Sequence, residues 1–438
     1  MKKILLNSII IIVDILVLVG IFYITVSTRI GINVEFIPPF KELSLSSFSF
    51  VIFIIFALMY NEKIYSLRYD FWQETKKIFR SLVIAYFIVL AMLALAKISM
   101  EYSRLFITMY FILAIIIMPI AKRYTKKLIY RYSFFKKNVL IVGDEEQVEI
   151  FKKEYKHNWY LGMECNDVFY DTVIISSKGM SLEKISEEID RHLNTKSSVY
   201  VIPYVTNINF ANSNIMEYSN IRFNTIQIEN KLLIKGNIWI KHTFDYFAMF
   251  TILPLFLLLH ALISLFIKLD SSGPIFFKQH RLGRYDNDFV CYKYRTMYEN
   301  SDDILESYLK ENPSEIEYYE KYHKYKNDPR ITKFGKFLRE SSLDELAQVI
   351  NIMKGEMSFV GPRPYMLNES DKLGSKQHTI LKVHPGITGL WQVSGRNDLT
   401  FKERNDLEVW YIKNWSLWYD FIILIKTVKV VLLKIGAK

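Results

Sequence analysis

Cysteine is nearly absent from this chain of 438 residues, which contains only Cys165 and Cys291. The two positions match no metal-ligand spacing and are too few for a disulfide framework, so we expect free thiols in a reducing compartment. A small-residue cleavage site is also missing after the apolar N-terminal run. That run therefore predicts an uncleaved membrane helix rather than a secretory signal peptide.

Phosphate-binding glycines are missing from the segment where a nucleotide-binding domain would place them. Residues 139–143, 172–176 and 198–203 have the pattern of buried strands, and residues 181–193 have helical spacing. Strands that alternate with helices predict a small parallel sheet. Gly143, however, is followed by three acidic residues (144–146), which would repel a pyrophosphate. We expect a spacer or assembly domain without a bound cofactor.

Apolar and basic residues are abundant. Hydrophobic residues make up 51% of the sequence, and the net charge is +11. The apolar content is typical of a membrane protein. Because the basic residues cluster beside apolar segments, the charge predicts contact with anionic lipid rather than with nucleic acid.

Four apolar stretches are long enough to cross a bilayer, which takes about 20 helical residues. They are residues 4–27, 45–61, 78–98 and 104–121. Lysine and arginine fill the second loop and follow the fourth stretch, so the positive-inside rule places both ends of this bundle in the cytoplasm. Asp14 lies within the first stretch. It is either a functional group or an acid near enough to the helix end to reach water.

A fifth apolar stretch, residues 244–267, has Pro254 near its centre. Proline removes a backbone hydrogen bond and favours a kink. A full crossing would carry the following basic and acidic segments away from cytoplasmic nucleotides, so we favour a re-entrant helix over a kinked span. Near the end, residues 407–434 combine aromatics with spaced lysines, which predicts helices on the membrane surface; a buried amphipathic helix is the alternative.

An adjacent carboxylate pair, Asp344 and Glu345, lies at a predicted helix start. Ser342 and Glu345 fit a capping box, and apolar residues then repeat at helical spacing over residues 346–353. Asp344 would fall in the first turn, where the helix dipole favours the ionised form that acts as a nucleophile. The alternative is that both acids only cap the helix.

Basic residues around the pair predict chemistry on a phosphate ester. A carboxylate that attacks phosphorus meets like charge, and Mg²⁺ on a neighbouring acid together with arginine forks offsets it. Glu345 is placed to hold the metal ion. Arg339 and Arg363 are available for phosphate oxygens, and prolines on both sides limit the backbone freedom of Arg363.

Two further basic segments flank the pair. Residues 276–297 contain Lys293 and Arg295 and predict a hairpin with a turn near Gly283. Residues 384–397 read as an ordered loop, from which Gln392 and Arg396 could meet a phosphate or a nucleotide base. For any one of these residues, a solvated basic surface is the alternative.

From about residue 241 to its end, the chain resembles the bacterial sugar transferase family, the monotopic polyprenyl-phosphate hexose-1-phosphate transferases. The resemblance rests on the helix around Pro254 and on four segments: KYRTM (293–297), NDPRITKFGKFLR (327–339), SSLDELAQVINIMKGEMSFVGPRP (341–364) and HPGITGLWQVSGRN (384–397). The whole layout is similar to that of the large, galactose-1-phosphate transferase-like members. It implies a four-helix transmembrane bundle (1–125), a degenerate Rossmann-like domain (126–237), and an α/β monotopic catalytic domain (238–438) with a re-entrant Pro-kinked helix (244–267).

The resemblance also implies roles for single residues. Asp344 matches the aspartate nucleophile that takes up the sugar phosphate, and Glu345 matches the Mg²⁺ ligand. Arg339 and Arg363 match phosphate-contacting arginines, and Pro254 matches the proline that breaks the re-entrant helix.

The resemblance implies less about two further positions. Asp420 matches an acid late in the family domain, with a role at the substrate. Ala347 departs from the proline that is common in the family at this point, which we expect to affect helix geometry only mildly.

The implied activity is transfer of a sugar 1-phosphate from a UDP-sugar to undecaprenyl (polyprenyl) phosphate, with release of UMP and through an Asp344 phosphosugar intermediate. It would initiate capsule, exopolysaccharide or O-antigen synthesis. We expect a multi-pass protein of the bacterial inner (cytoplasmic) membrane with its catalytic domain on the cytoplasmic face. The expected partners are Mg²⁺, both substrates and membrane lipid, with no nucleic acid; a homodimer is left open, and no segment identifies the sugar.

Two other classes of function compete with this interpretation. One is a membrane-anchored nucleotide-sugar oxidoreductase or dehydratase that acts through residues 138–235, which the missing glycines disfavour. The other is a scaffold without catalysis, in which the acid pair only caps a helix.

Overall fold

The computed structural model describes residues 2–31, 43–95, 102–194, 199–203, 213–217, 224–313, 315–316, 325, 328–395 and 399–433. These residues are mostly helical, with a parallel sheet in addition. The chain divides into two compact units, residues 1–204 and 205–438. The three domain ranges expected from the sequence stay a prediction.

Apolar helices begin the first unit. They are α1 (Lys2–Gly31), α2 (Leu45–Asn61), α3 (Phe71–Leu95) and α4 (Arg104–Ile129). By length and composition, α1, α3 and α4 are able to cross a membrane, whereas α2 is equally apolar but only 17 residues long. The predicted apolar helices are confirmed, although residues 96–98 of the third stretch lie outside the described residues. Ser44 and Ser103 cap α2 and α4 by accepting backbone N–H bonds.

A cluster of charged residues is buried among these helices, each residue at most 3% exposed: Asp14, Glu74, Lys122 and Lys126. Lys122 donates to Asp14, Lys126 donates to Glu74, and Lys122 also lies 3.9 Å from Glu74. Tyr65 donates a further hydrogen bond to Asp14 at 2.9 Å. The suggestion that Asp14 only reaches water at a helix end is therefore wrong, because the packed bundle closes over it and supplies a lysine instead.

A parallel sheet follows within the first unit. Its described strands are β1 (Lys137–Val142), β2 (Met163–Cys165), β3 (Thr172–Ser176) and β4 (Val199–Ile202), in the order β2-β1-β3-β4, and its helices are α5 (Glu145–His157) and α6 (Leu182–Leu193). Every residue of β3 is buried, as expected for a central parallel strand. The small parallel sheet is thus confirmed, while its assignment as a degenerate Rossmann-like domain stays a prediction.

The second unit begins with a short antiparallel pair and a long helix. Its described elements are β5 (Asn214–Glu217), β6 (Asn224–Gln227), α7 (Lys235–Asp270), β7 (Phe276–Leu282), β8 (Asp288–Tyr294), α8 (Ser301–Glu311), α9 (Lys333–Ser341), α10 (Val349–Met353), β9 (Ser358–Val360), α11 (Ser370–Leu373), α12 (Gln377–Ile380), β10 (Gly386–Thr388), α13 (Phe401–Lys413) and α14 (Leu417–Leu432). Strands β7 and β8 form the predicted antiparallel hairpin. Strands β9 and β10 pair in parallel.

Helix α7 is continuous through Pro254 and is long and apolar enough to cross a membrane. Most of its apolar side chains are exposed, among them Phe247 at 70% and Phe250 at 66%. A continuous exposed apolar surface of this size needs lipid or protein to cover it. Whether α7 crosses the bilayer or re-enters it, and whether Pro254 kinks it, stay predictions.

The C-terminal helices have one buried and one exposed apolar face. Tyr411 and Ile423 are 1% exposed and belong to the core of the second unit, whereas Phe421 and Val428 are 45% and 59% exposed. This pattern combines the two alternatives for residues 407–434, since the same segment contributes to a core and presents an apolar surface. Its position at a membrane interface stays a prediction.

Candidate active site

The acid pair follows a sharp turn that ends α9. Ser342 has φ of 56°, in the left-handed region, and its side chain makes no capping hydrogen bond. Residues Leu343–Gln348 then form a 3₁₀ helix before α10 begins. The predicted capping box is therefore wrong, because Ser342 serves as the C-cap of α9 and its backbone, rather than its hydroxyl, makes the turn.

Strand β8 lies directly beside this turn and fixes its position. The buried Asn351 of α10 accepts from the Tyr292 N–H at 3.0 Å and donates to the Val290 carbonyl at 2.7 Å. These bonds satisfy backbone groups of the hairpin and hold α10 against it. No sequence pattern pointed to Asn351, because the hairpin backbone atoms that it bonds lie about 60 residues earlier in the chain.

A cavity of about 680 Å³ opens beside the acid pair. Of the residues predicted for the site, it brings together six: Lys293, Arg295, Arg339, Asp344, Glu345 and Gln392. Aromatic side chains form much of the remaining wall: Phe276, Phe277, Tyr294, Tyr298 and Trp391. A wall of mixed cationic and aromatic character suits a ligand that has both phosphate groups and flat or apolar parts.

Lys293 of β8 faces both carboxylates. Its Nζ lies 2.7 Å from Glu345 Oε1, so Glu345 is an ion-pair partner rather than a helix cap. Burial would lower the pKa of Lys293, but Glu345 and Asp344 outweigh it and raise this pKa. Burial, followed by the charge of Glu345, raises the pKa of Asp344, with Lys293 and Arg339 opposing that rise. Lys293 thus pairs with Glu345, while burial and the charge of Glu345 make the protonated form of Asp344 more favourable than it is in water.

Two arginines at the cavity have different roles. Arg339 of α9 donates through Nε to Thr296 Oγ1 at 2.9 Å, which orients its guanidinium beside the acid pair. Arg295 instead donates to the carbonyls of Ser271 and Ser272 at 2.8 and 2.6 Å. Arg295 therefore ties the end of α7 to the cavity wall, and its role as a phosphate contact stays a prediction.

Gly273 makes this tie sterically feasible. Its φ is +118°, and a Cβ at this position would lie 1.9 Å from Arg295 Nη1. Only glycine adopts this backbone conformation readily and leaves room for the guanidinium.

Helix α7 also contacts the cavity wall through His260. The imidazole stacks on Phe276, with ring centroids 5.5 Å apart, and its Nδ1 lies 2.8 Å from the hydroxyl of Tyr294. Phe276 and Tyr294 both line the cavity, and burial raises the pKa of Tyr294 to about 12. The apolar helix therefore packs directly behind this cavity. Sequence reasoning missed His260, since its stacking partners come from the later hairpin.

Arg363 does not line the cavity. Its backbone N–H donates to Glu408 Oε1 at 2.7 Å, and Tyr365 donates its hydroxyl to the same carboxylate. Burial raises the pKa of Glu408 to about 7. The segment around Arg363 is thus anchored to α13 by a buried acid that the sequence did not single out.

Asp420 is buried in a hydrogen-bonded cluster instead of at the cavity. Its carboxylate accepts from Lys241 Nζ at 2.8 Å, Tyr411 Oη at 2.6 Å and Trp415 Nε1 at 2.9 Å. These bonds connect the start of α7 with α13 and α14, a structural role. A substrate role for Asp420 stays a prediction, as do those of Arg363 and of Arg396, which lies outside the described residues.

The side-chain oxygens at the cavity can be compared with the ligands that Mg²⁺ prefers. Among the described residues, no three His, Cys, Asp or Glu side chains cluster as a metal site. Mg²⁺ often takes only one or two carboxylates and completes its octahedron with water and substrate phosphates. Lys293 occupies Oε1 of Glu345, which leaves Oε2 and the neighbouring Asp344. These residues fit an ion that arrives with a phosphate substrate, with Glu345 as its protein ligand.

Known proteins provide an independent comparison. The family model described as "Bacterial sugar transferase" matches residues 236–434. The chain is 33% identical to the undecaprenyl-phosphate galactose phosphotransferase of Salmonella typhimurium, over 85% of this chain and 84% of that protein. It is 31% identical to the UDP-galactose-lipid carrier transferase of Erwinia amylovora, again over 85% and 84%. The exopolysaccharide production protein ExoY of Rhizobium meliloti is 42% identical over 45% of this chain and 87% of that protein. The cavity lies within the matched segment, and this chain belongs to the bacterial sugar transferase family.

Proposed function

We propose that this protein transfers a sugar 1-phosphate from a UDP-sugar to undecaprenyl (polyprenyl) phosphate, releases UMP, and so initiates synthesis of a capsule, exopolysaccharide or O-antigen. The names of its relatives supply the substrate classes: one is an undecaprenyl-phosphate galactose phosphotransferase and another a UDP-galactose-lipid carrier transferase. The observation that carries the proposal is a carboxylate pair in one cavity with Lys293 and Arg339, directly in front of an apolar helix.

Asp344 is the proposed nucleophile because its environment keeps it reactive. Burial and Glu345 raise its pKa, which makes it a better nucleophile than an exposed aspartate while Lys293 and Arg339 oppose full protonation. Glu345 is less suited to attack, since Lys293 already holds one of its oxygens at 2.7 Å.

In the first step, a carboxylate oxygen of Asp344 bonds to the phosphorus that carries the sugar. The bond from this phosphorus to the UMP oxygen breaks, and UMP leaves with the bonding electrons. Arg339 and Lys293 offset the charge that gathers on the phosphate oxygens. When bound to Glu345, Mg²⁺ would add charge neutralisation for the phosphates.

In the second step, an oxygen of polyprenyl phosphate bonds to the same phosphorus, and the bond to Asp344 breaks. The carboxylate is regenerated, and the product is a polyprenyl-diphosphate-linked sugar. With polyprenyl phosphate and UMP both fully ionised, the complete reaction neither takes up nor releases a proton. This balance explains why cations, rather than a general acid, surround the acid pair.

The second substrate requires access from the membrane. Helix α7 exposes apolar side chains, and its His260 contacts Phe276 and Tyr294 of the cavity wall. We propose that α7 is re-entrant, kinked at Pro254, and presents the lipid phosphate on the cytoplasmic face of the inner membrane. A crossing helix would place the cavity on the side that lacks UDP-sugars.

A nucleotide-sugar oxidoreductase or dehydratase is not favoured. Glu145 and Glu146 lie in the first turn of α5, directly after β1, where a dinucleotide pyrophosphate would need glycines and free N–H groups. Stabilisation of the protein by added NAD would be the observation that revives this alternative.

The proposal is tested with purified protein in lipid nanodiscs and UDP-sugars labelled at the sugar-bearing phosphate. A panel with galactose, glucose and the two N-acetylhexosamines identifies the donor. Without acceptor, the protein should become labelled and release one equivalent of UMP; polyprenyl phosphate should then move the label into lipid. Asp344→Asn should show neither reaction.

Glu340→Gln provides the matched control, because Glu340 is an exposed acid that does not line the cavity. It should label and transfer as the wild-type protein does. Lipid product formation by Asp344→Asn at the wild-type rate would rule out the covalent mechanism. Lack of transfer from every UDP-sugar would rule out the donor class.

A further inference from the structure

A second cavity, of about 900 Å³, lies in the first unit, far along the chain from the acid pair. It is enclosed by the C-terminal end of α4, by α5 and by residues 159–165. The proposed transfer reaction uses none of these residues.

The cavity wall carries an excess of positive charge. Five cations line it, Lys127, Arg131, Lys136, Lys152 and Lys156, against one carboxylate, Glu164. Lys136 lies 3.5 Å from Glu164, and Lys152 pairs with Asp167 at 2.9 Å. Within the described residues, no carboxylate lies within ion-pair distance of Lys127, Arg131 or Lys156. Unneutralised cations that converge on one concave surface predict an anionic ligand.

The rest of the wall is aromatic and aliphatic. Tyr124, Leu128 and Trp159 line the same cavity, and the first two are 63% and 66% exposed. Tyr124 and Leu128 lie in the last turns of α4, a helix able to span a membrane. Tyrosine and tryptophan beside lysines at the end of a span are typical of the lipid headgroup level. An inorganic anion would leave this apolar wall unused.

A nucleotide fits the position poorly. Lys136 directly precedes β1, and Met163 begins β2, so the cavity lies at the amino ends of the parallel strands. Nucleotides bind to such sheets beyond the carboxyl ends of the strands. Those ends carry Glu145 and Glu146 in this chain.

We propose that this cavity binds a phosphate-bearing membrane lipid, with Lys127, Arg131 and Lys156 around the phosphate and Tyr124, Leu128 and Trp159 along the apolar chain. The shared chemistry is an anionic phosphate joined to a hydrocarbon tail. An anionic phospholipid and polyprenyl phosphate both have it.

The test is native mass spectrometry of the full-length protein released from nanodiscs that contain phosphatidylcholine with either phosphatidylglycerol or polyprenyl phosphate. Wild-type protein should retain the anionic lipid and not phosphatidylcholine. The double variant Lys127→Gln/Lys156→Gln should bind it about 30-fold more weakly, since each lysine near a lipid phosphate contributes a comparable part of the affinity.

Lys153→Gln is the matched control, because Lys153 lies on α5 in a surface pair with Glu149 and outside the cavity. It should retain lipid as the wild-type protein does. The single variants Lys127→Gln and Lys156→Gln, each checked by thermal unfolding, serve if the double variant does not fold.

The experiments with phosphatidylglycerol and with polyprenyl phosphate identify the ligand. Tighter retention of either lipid supports the site and shows which of the two occupies it. Equal retention of phosphatidylcholine and anionic lipid, or wild-type retention by the folded variants, would overturn the proposal. Displacement of the lipid by inorganic phosphate or by UMP at matched concentration would overturn it in favour of a soluble ligand.

Discussion

The buried ion network of the helical bundle and the acid pair of the cavity use the same residue types in different ratios. In the bundle, Lys122 and Lys126 match Asp14 and Glu74, and all four side chains are at most 4% exposed. At the cavity, Lys293 faces both Asp344 and Glu345, with the Lys293 and Glu345 side chains 27% and 34% exposed.

The pairing of the charges decides what each group does. A balanced and sealed network has no net charge to attract a substrate, so it stabilises the fold only while it is complete. At the cavity, Lys293 is bonded to Glu345 and Arg339 to Thr296, so Asp344 has no cation within ion-pair distance among the described residues. Such a carboxylate is available to a metal ion or to phosphorus, and its pKa is raised, as that of Asp344 is.

The largest expected effect comes from Asp344→Asn compared with Asp14→Asn. Loss of the proposed nucleophile should lower transfer activity on the order of 10³-fold or more with little change in unfolding. Asp14→Asn should instead destabilise the protein and leave the activity per folded molecule near wild type. Steady-state transfer assays and thermal unfolding in nanodiscs measure both quantities. An inverted result would erase the distinction between the two regions.

Next in size is Glu74→Ala, which leaves Lys126 buried without its partner. We expect a loss of about 3–5 kcal/mol in the free energy of unfolding, the usual cost of breaking a buried pair from one side. The double variant Glu74→Leu/Lys126→Leu should recover most of it, because it removes both charges. Denaturant titration in mixed micelles compares the two, and failure of the double variant to recover would assign the network a role other than charge balance.

Glu408 extends the comparison to a buried acid whose carboxylate accepts from Arg363 N–H and Tyr365, with no lysine bonded to it among the described residues. Its pKa is raised to about 7 in the fold, from an ordinary 4.5. An acid with a raised folded pKa contributes stability that is complete below pH 4.5 and is lost as pH rises towards 7. The wild-type protein should therefore lose about 3 kcal/mol more than Glu408→Gln over this interval. Asp406→Asn, an acid on the same helix, is the control for charge removal and should follow the wild-type curve.

The smallest expected effect is that of Lys293→Met. Activity requires ionised Asp344, so it rises with pH through the pKa of this residue. Removing Lys293 removes a charge that opposes protonation, so the acid limb of the pH–activity profile should move to higher pH. Activity at neutral pH should fall about tenfold, as for loss of one charge-assisted contact. An unchanged acid limb would show that Lys293 does not tune Asp344.

Sequence periodicity predicted the apolar helices, the parallel strands and the β7–β8 hairpin, because these depend on residues close together in the chain. It failed at Ser342, where the pattern fitted a capping box but the chain adopts a left-handed turn. The competing requirement was a sharp reversal after α9, which a local pattern does not reveal. Glu345 was expected as a metal ligand, and its ion pair with Lys293 was not foreseen because 52 residues separate them.

The chemical inventory was set by the sequence alone: adjacent acids among cations, apolar helices, and no glycine-rich loop after β1. The tertiary structure decided which charges meet. It placed Lys293 against Glu345 and left Asp344 with a raised pKa, directed Arg295 to the end of α7, and sealed Asp14 with Lys122. Such pairings join residues dozens of positions apart, and their electrostatic consequences depend on distance and burial, which composition and spacing do not specify.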